Sequence, residues 1–409
     1  MEHLAGLRSG IPGISVITDV FDQHDLFDLL DDSAVLQLSR LGGAAGFSGL
    51  SSIRKCTGIR ERRILRAGIT VTDIAVRLCE RLEDEAHIDL RDCHSILLCH
   101  SHTDNNACRR LAQSIELKLG LPEGLVEPFN HGCTGFLKLM QDASAAFEDV
   151  PPGGRIALMS IETPEFWHDG SDRLFCGLVS AGATGAIIEH GGFLPLERIA
   201  VEDFYIPPDR RPNPNPLFHN DNAEVFSFRG QRCHRTVMRM NPESVFIHAI
   251  ELMLSSMRAA VDSFDLQHGE RVIVIPHQPS AKLLKALVAI GQAEFPDAEF
   301  LSNLWGYGNA ISSCVPTVLS RLDEVLKQNG RNPVNEGDHL ILLAAGICMS
   351  DIANKMSAGF AHIRWTPVDS ALQQEAAVAP PLRGHSQSAA RGGDAGQYSH
   401  VTQLSSRLT

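Results

Sequence analysis

Two kinds of apolar pattern alternate along the first ~190 residues of this chain. "ISVITDVF", "HSILLCHS", "GRIALMSIE" and "GATGAIIEHGG" are short, nearly continuous runs that read as buried strands. Between them lie runs with helical spacing. "TVTDIAVRLCERLEDEA" opens on a Thr cap, and "ACRRLAQSIELKLG" ends at Gly120, a C-cap signal. After Cys133, the residues Phe136, Leu139, Met140, Ala143 and Phe147 recur on one helical face. The alternation resumes near residue 241. There it gives helix "PESVFIHAIELMLSSMRAAVDSF", strand "RVIVIP", helix "SAKLLKALVAIG", helix "CVPTVLSRLDEVLKQNG" and strand "HLILLAAG". Such a pattern predicts an α/β class with covered sheets. Residues 195–240 break it with "YIPPDRRPNPNPLFHN", which predicts a loop or cap insertion. From 366 to 409 Ala, Gly, Ser and Gln dominate, which predicts a disordered tail. The expected division is therefore 1–194, 195–240, 241–365 and 366–409.

Composition narrows the functional classes. Hydrophobic residues make up 44% of the 409, enough for a large core. The formal charge of −13 argues against a general nucleic-acid binder. "MEHLAGLRSGIPG" is too broken for a secretory leader, and no apolar run suggests a membrane span of ~20 residues. The ten cysteines include no C-x-x-C pair, which predicts reduced thiols in a cytoplasmic protein. "CHSILLCHSH" invites a metal reading, but no second cluster has zinc spacing, and a buried strand entering a polar loop is expected instead. No metal or cofactor is expected.

Three predicted strand ends carry polar or reactive groups, the usual place for chemistry in α/β folds. Cys133 lies in "NHGCTGF" between Gly132 and Gly135, where a helix starts and its dipole favours a thiolate. His277 ends the strand in "RVIVIPHQPS", ahead of a Ser-capped helix. Asn309 follows Gly306 and Gly308 in "LWGYGNAISSCVPTVL". Taken singly, each has a plainer reading: a buried thiol, a hydrogen-bonded His, an Asn in a tight turn.

Together, in this order and spacing, Cys133-Thr134-Gly135-Phe136, Pro276-His277-Gln278 and Gly308-Asn309 resemble the β-ketoacyl-ACP synthase III group of the thiolase-like superfamily. "TGIRERRI" (57–64), "GATGAII" (182–188) and "LLAAG" (342–346) fall where further family segments belong, so the resemblance spans roughly residues 10–365. It implies a five-layered αβαβα fold of two related halves, split between the 1–194 and 241–365 segments. It also implies an acyltransferase acylated on Cys133, with His277 and Asn309 assisting decarboxylative condensation with a malonyl-type thioester. Backbone N–H groups of Cys133, Gly346 and Ile347 would form the oxyanion hole. A homodimer is implied, with the segment near Cys108 approaching the partner's pocket. The alternatives are a non-condensing acyltransferase and a non-catalytic partner subunit; such subunits generally lose the nucleophile or the His, and both stand here.

Departures mark a divergent branch, closer to specialised fatty-acid or polyketide synthases. "VSAGATGA" lacks the family's Asp, and Gly346-Ile347-Cys348 replaces a triple-Gly turn. The family's coenzyme A clamp, a Trp and an Arg, falls on Ser52 and Cys56. The acyl thioester arrives on an acyl carrier protein or on coenzyme A. The altered clamp favours the carrier, docking on the basic run at Arg60, Arg62, Arg63 and Arg66. Arg229, Arg232, Arg235 and Arg239 form a second basic candidate.

Overall fold

The computed structural model describes residues 11–43 and 46–366; the predicted tail beyond Thr366 lies outside them. Strand β1 (Pro12–Asp19) is followed by a small unit in which β2 (Phe27–Leu30) pairs with β3 (Arg62–Leu65) around helices α1 (Asp32–Leu41) and α2 (Leu50–Thr57). Then come α3 (Val71–Ala86), β4 (Ser95–Cys99), α4 (Ala107–Leu119), β5 (Val126–Phe129), α5 (Gly135–Ala146), β6 (Arg155–Glu162) and β7 (Gly182–His190). Thr70 caps α3 in a reciprocal box with Asp73, and Gly120 closes α4 at φ 61°, as the sequence signals predict.

The second half opens with β8 (Leu194–Tyr205) and a hairpin of β9 (Phe218–Phe226) and β10 (Arg232–Met240). It continues with α6 (Pro242–Val261), β11 (Val272–Pro276), α7 (Ala281–Glu294), β12 (Glu299–Phe300) and α8 (Leu304–Tyr307). Helices α9 (Cys314–Ser320) and α10 (Leu322–Gln328) and strands β13 (His339–Ile347) and β14 (Lys355–Arg364) complete it.

Each half repeats one topology. The strand orders are β5-β4-β6-β7-β1 and β12-β11-β13-β14-β8, with the same parallel and antiparallel steps at matching places. The halves join where Gly13 and Ile14 pair with Pro195 and Leu194. Helix α5 packs on β4 and β6 of its own half and on β8 and β14 of the other; α9 packs on β11 and β13 and on β1 and β7. These two helices form the middle layer, with α3 and α4 outside one sheet and α6 outside the other. The five-layered, two-half fold expected from the resemblance is thus present. Arg321, at the break between α9 and α10, ties the halves by a two-pronged bond to buried Asp19 at the end of β1, at 2.6 and 2.7 Å.

Two expectations change. Residues 195–240 are not a loop insertion: β8 is an integral strand of the second sheet, and β9–β10 form a regular hairpin. Only the Pro- and Asn-rich stretch between them lacks strands, because Pro removes ladder donors. Helix α6 is long and apolar enough to cross a membrane by length and composition, but its stripe of Ala249, Met253, Met257 and Ala260 is buried on β13 and β14. Cys108 is 2% exposed and donates toward the Leu98 and Phe129 carbonyls, so that side chain faces the core.

Candidate active site

The sheet topology carries three loops to one place. Cys133 follows β5 and immediately precedes α5. His277 follows β11, the strand matching β4, and Asn309 precedes α9, the counterpart of α5. The loop bearing Cys133 is pressed against the end of β13. A Cβ on Gly346 would lie 2.5 Å from the Cys133 Sγ, and one on Gly132 would meet the Ile347 side chain. Glycine at both places lets the thiol seat beside the β13 backbone.

His277 is fixed by its backbone N–H, which donates to the Leu343 carbonyl at 2.6 Å. Its ring is buried, and Nδ1 has no protein partner. Asn309 is held at both main-chain ends: its N–H donates to Leu178 O, and its carbonyl accepts from Ser180 N–H, each at 2.9 Å. Its Oδ1 accepts from the Ile311 N–H at 3.0 Å and from the Cys314 thiol at 3.4 Å. The oxygen being committed, Nδ2 is the end of the amide left to donate.

Burial sets the electrostatics. It pushes the Cys133 thiol up to about 12, outweighing a backbone hydrogen bond from Ile347 that favours the thiolate; the Glu162 carboxyl raises it further. Burial also pulls His277 down to about 3. Burial thus opposes the dipole-stabilised thiolate expected from the sequence and biases both groups toward their neutral forms. Glu162 itself is buried and pushed up to about 8, held by the Ser101 and Ser312 hydroxyls. Alkylation of Cys133 by iodoacetamide is accordingly expected to rise about tenfold per pH unit from 7 to 9.5. A plateau by pH 7.5, read by peptide mass spectrometry, would instead indicate a standing thiolate.

Cys133, His277 and Asn309 line one cavity of about 580 Å³, together with Gly346 and Ile347. Exposed Lys282 also lines it, its ammonium 5.7 Å over the Phe246 ring. The interior walls are largely apolar, with Phe175, Phe218, Met238 and Met240 among them.

No protein-family model matches the chain. The chain is 25% identical over 297 residues to β-ketoacyl-acyl-carrier-protein synthase III of Cereibacter sphaeroides, covering 72% of this chain and 86% of the relative. It is 25% identical over 320 residues to the synthase of the same name from Prochlorococcus marinus, covering 76% and 87%. In structure it is similar to 3-oxoacyl-acyl-carrier-protein synthase III of Aquifex aeolicus, with a TM-score of 0.63 and 19% identity over 87% of this chain and 100% of that one. The priming β-ketosynthase of the R1128 polyketide pathway gives a TM-score of 0.64 and 19% identity, covering 87% of this chain and 97% of the other. The chain is β-ketoacyl-ACP synthase III-like.

Against that likeness, the basic run divides. Arg62 is fully buried, bonded to Asp32, Thr57 Oγ1 and Gly177 O. Arg63 is buried against Phe21 and Tyr307 and bonded to Phe21 O and Gly306 O. Neither offers charge to a carrier. Strand β3, which carries both, is covered on both faces. Arg60 and Arg66 are exposed, and Arg60 lies 5.8 Å over Trp305. In the second patch, Arg229 pairs with Asp28, Arg232 with Glu224 and Arg239 with Asp169, while Arg235 donates to His168 O. Ser52 Oγ is occupied at the start of α2, and Cys56 is exposed on it.

The synthase-like cavity includes residues the sequence reading missed. Trp167 and His168 come from the segment between β6 and β7, where no periodicity marked them. Lys282, in the first turn of α7, was legible as a cation closely following His277. Residues 195–240 contribute Phe218, Met238 and Met240 to the cavity walls. Ala107 and Arg110 border a separate cleft with His102 and Arg235. Cys99 and His100 spend their polar atoms on the His131 and Ile161 carbonyls, and the described residues gather no group of three or more metal-ligand side chains.

Proposed function

We propose that this protein is a condensing enzyme that loads an acyl group onto Cys133 and extends it with a malonyl-type thioester. The observation that carries this reading is the convergence of Cys133, His277 and the committed Asn309 amide on one apolar cavity. In the first step the Cys133 sulfur attacks the acyl thioester, and its proton passes to neutral His277. The new sulfur–acyl bond forms as the donor's C–S bond breaks, and the proton leaves with the donor thiol. Charge on the carbonyl oxygen is met by the backbone N–H groups of Cys133 and the Gly346–Ile347 turn. In the second step the malonyl-type thioester loses carbon dioxide. His277 and Asn309 Nδ2 donate to its enolate oxygen; the carbanion attacks the carbonyl of acyl-Cys133, the carbon–sulfur bond to Cys133 breaks, and the thiolate leaves and takes up a proton as the β-ketoacyl thioester forms. An uncharged amide and imidazole suit a developing anion better than a carboxylate would, which sets condensation above plain acyl transfer to an alcohol or amine.

The donor reading is revised by the buried arginines. Carrier docking falls to exposed Arg60 and to exposed Lys282 on the cavity wall, with Arg66 on the same basic run. The β5 edge remains open for pairing of two copies in a homodimer. One experiment addresses all of this: mass spectrometry, intact and native, after exposure to one acyl group carried on acyl carrier protein or on coenzyme A. A single acyl adduct mapping to Cys133, faster from the carrier, on a dimeric protein is expected. An adduct on Cys99, Cys176 or Cys348 would overturn the assignment of the nucleophile.

A further inference from the structure

Glu162 ends β6, and neither reaction step uses it. It is fully buried, and among the described residues its hydrogen-bond partners are serines rather than a cation. Its Oε1 meets the Ser101 hydroxyl at 2.8 Å and also the Ser312 hydroxyl, while Oε2 accepts from the Ser101 N–H at 3.3 Å. The two serines lead to different reacting groups. Ser101 Oγ also lies 2.8 Å from the carbonyl of His131, in the loop that carries Cys133. Ser312 stands in the turn Ile311–Ser313, directly after Asn309 and Ala310. From Ser312 the contacts run on to Ser160 Oγ at 2.6 Å, and Ser313 Oγ reaches Ser160 Oγ at 3.0 Å and Ser160 O at 2.9 Å.

Proton counting along this chain identifies the form of Glu162 that fits it. A serine hydroxyl has one proton to give, and a carbonyl or a carboxylate can only accept. With Glu162 ionised, Ser101 Oγ would stand 2.8 Å from two acceptors and could satisfy one of them. The other contact would set acceptor against acceptor in a fully buried place, where unmade hydrogen bonds are costly. A proton on Oε1 removes the conflict. Glu162 then donates to Ser101, and Ser101 donates to His131 O. Ser312 donates to Glu162, Ser160 to Ser312 and Ser313 to Ser160. All five bonds run one way, from the turn after Asn309 to the loop before Cys133. Burial acts in the same sense, pushing the carboxyl up to about 8.

We propose that Glu162 is a positioning residue that works as a neutral carboxylic acid, donating to Ser101 and accepting from Ser312, and so sets the Cys133 loop against the Asn309 turn. Its effect on rate rests on the condensing reading, in which acyl-Cys133 and the enolate held by Asn309 must meet. Ionisation would take away the proton given to Ser101, so the positioning is present below pH 8 and lost as pH rises through it. The described titratable groups facing Glu162 are thiols: Cys99 on β4, Cys108 on α4, Cys314 on α9, and Cys133 itself. Burial raises all four well above this range. His277, held down to about 3, stays neutral throughout it.

The test compares the wild type with Glu162→Gln and Glu162→Met, with thermal melts to check folding. Gln supplies N–H donors where Oε1 stands, keeps an acceptor for the Ser101 N–H, and cannot ionise. Met fills the space and offers neither. Cys133 is loaded with an acyl group first, so that its own titration drops out. A single turnover with a malonyl thioester is then followed by carbon dioxide release from pH 6.5 to 9.5. The wild-type rate is expected to fall above pH 8. Glu162→Gln should stay within about threefold of the wild type at pH 7 and lose that fall, whereas Glu162→Met should be slower by about tenfold or more at every pH. Infrared difference spectra, wild type minus Glu162→Gln, should show a carboxylic-acid C=O band at pH 7 that disappears as pH rises through about 8. A carboxylate signal at pH 7, or a Gln variant as slow as the Met variant, would overturn the neutral acid. A folded Met variant as fast as the wild type would overturn the positioning role. If the wild type takes no acyl group on Cys133, the condensing reading falls, while the infrared band still decides the state of Glu162.

Discussion

Asn309→Ala is expected to leave Cys133 able to take an acyl group but to slow decarboxylative condensation by about 10²–10³-fold. The two steps separate because they use different donors. Loading needs the Cys133 thiol, a proton acceptor and the backbone N–H groups around Gly346. Condensation adds an enolate, whose oxygen needs Nδ2. The Asn309 amide cannot turn to compensate, because Oδ1 already accepts from Ile311 N–H and Cys314. Asn309→Asp sharpens the test: it keeps both accepting contacts and replaces only the donor with an oxygen. It should condense at least as poorly as the Ala variant while folding as well as the wild type. Carbon dioxide release and adduct formation, measured on the same samples, separate the steps. Condensation by Asn309→Asp at the wild-type rate would remove Asn309 from the reaction and favour simple acyl transfer.

Arg62→Ala is expected to cost about 3–5 kcal/mol of stability. The guanidinium is fully buried, and the Asp32 carboxylate it faces is 7% exposed. Three protein oxygens beyond that ion pair accept from it: Gly177 O at 3.0 Å, Thr57 Oγ1 at 3.0 Å and Arg60 O at 3.4 Å. Truncation strands these acceptors and leaves a cavity among α1, α2 and the segment before β7. Asp32 keeps Arg54 as a partner at 2.6 Å, but that side chain is 67% exposed and too solvated to replace the lost charge. Arg66→Ala, at the exposed end of the same run, should change stability by no more than about 0.5 kcal/mol. Urea unfolding of both variants makes the comparison; equal midpoints would show that Arg62 is no more structural than its exposed neighbour. Charge reversal at Arg62 or Arg63 would therefore report folding rather than carrier docking.

Much of the fold was written into local pattern. Strands such as "RVIVIP" and "HLILLAAG" are buried on both faces, so they read as continuous apolar runs. Caps such as Thr70, Ser280 and Gly120 act through bonds to residues three or four positions away, and short-range spacing reveals them. β14 escaped notice for the opposite reason. "KMSAGFAHIR" is rich in small residues because its neighbour β8 lies close; a Cβ on Gly359 would run into the Ala200 carbonyl. That crowding is set by residues about 160 positions away, and no local pattern carries it.

The chemistry divides in the same way. The sequence by itself singled out Cys133, His277 and Asn309 as candidates, because each follows a strand or a Gly-rich turn and precedes a helix, and the order of those elements is fixed along the chain. It also determined the glycines that admit Cys133, although what they make room for was not visible. Only the tertiary structure shows the burial that biases that cysteine toward its thiol. The helix dipole is a local property, whereas the desolvation that opposes it depends on distant segments such as the end of β13, which packs on the Cys133 loop. The structure likewise decided that Arg62 and Arg63 are interior and Arg60 is not, since strand alternation gives sidedness but not which sides are covered. Trp167 and His168 became part of the cavity only through the hairpin that packs against them. A side chain's chemistry is local, but its solvent and its partners are long-range, and those set what it can do.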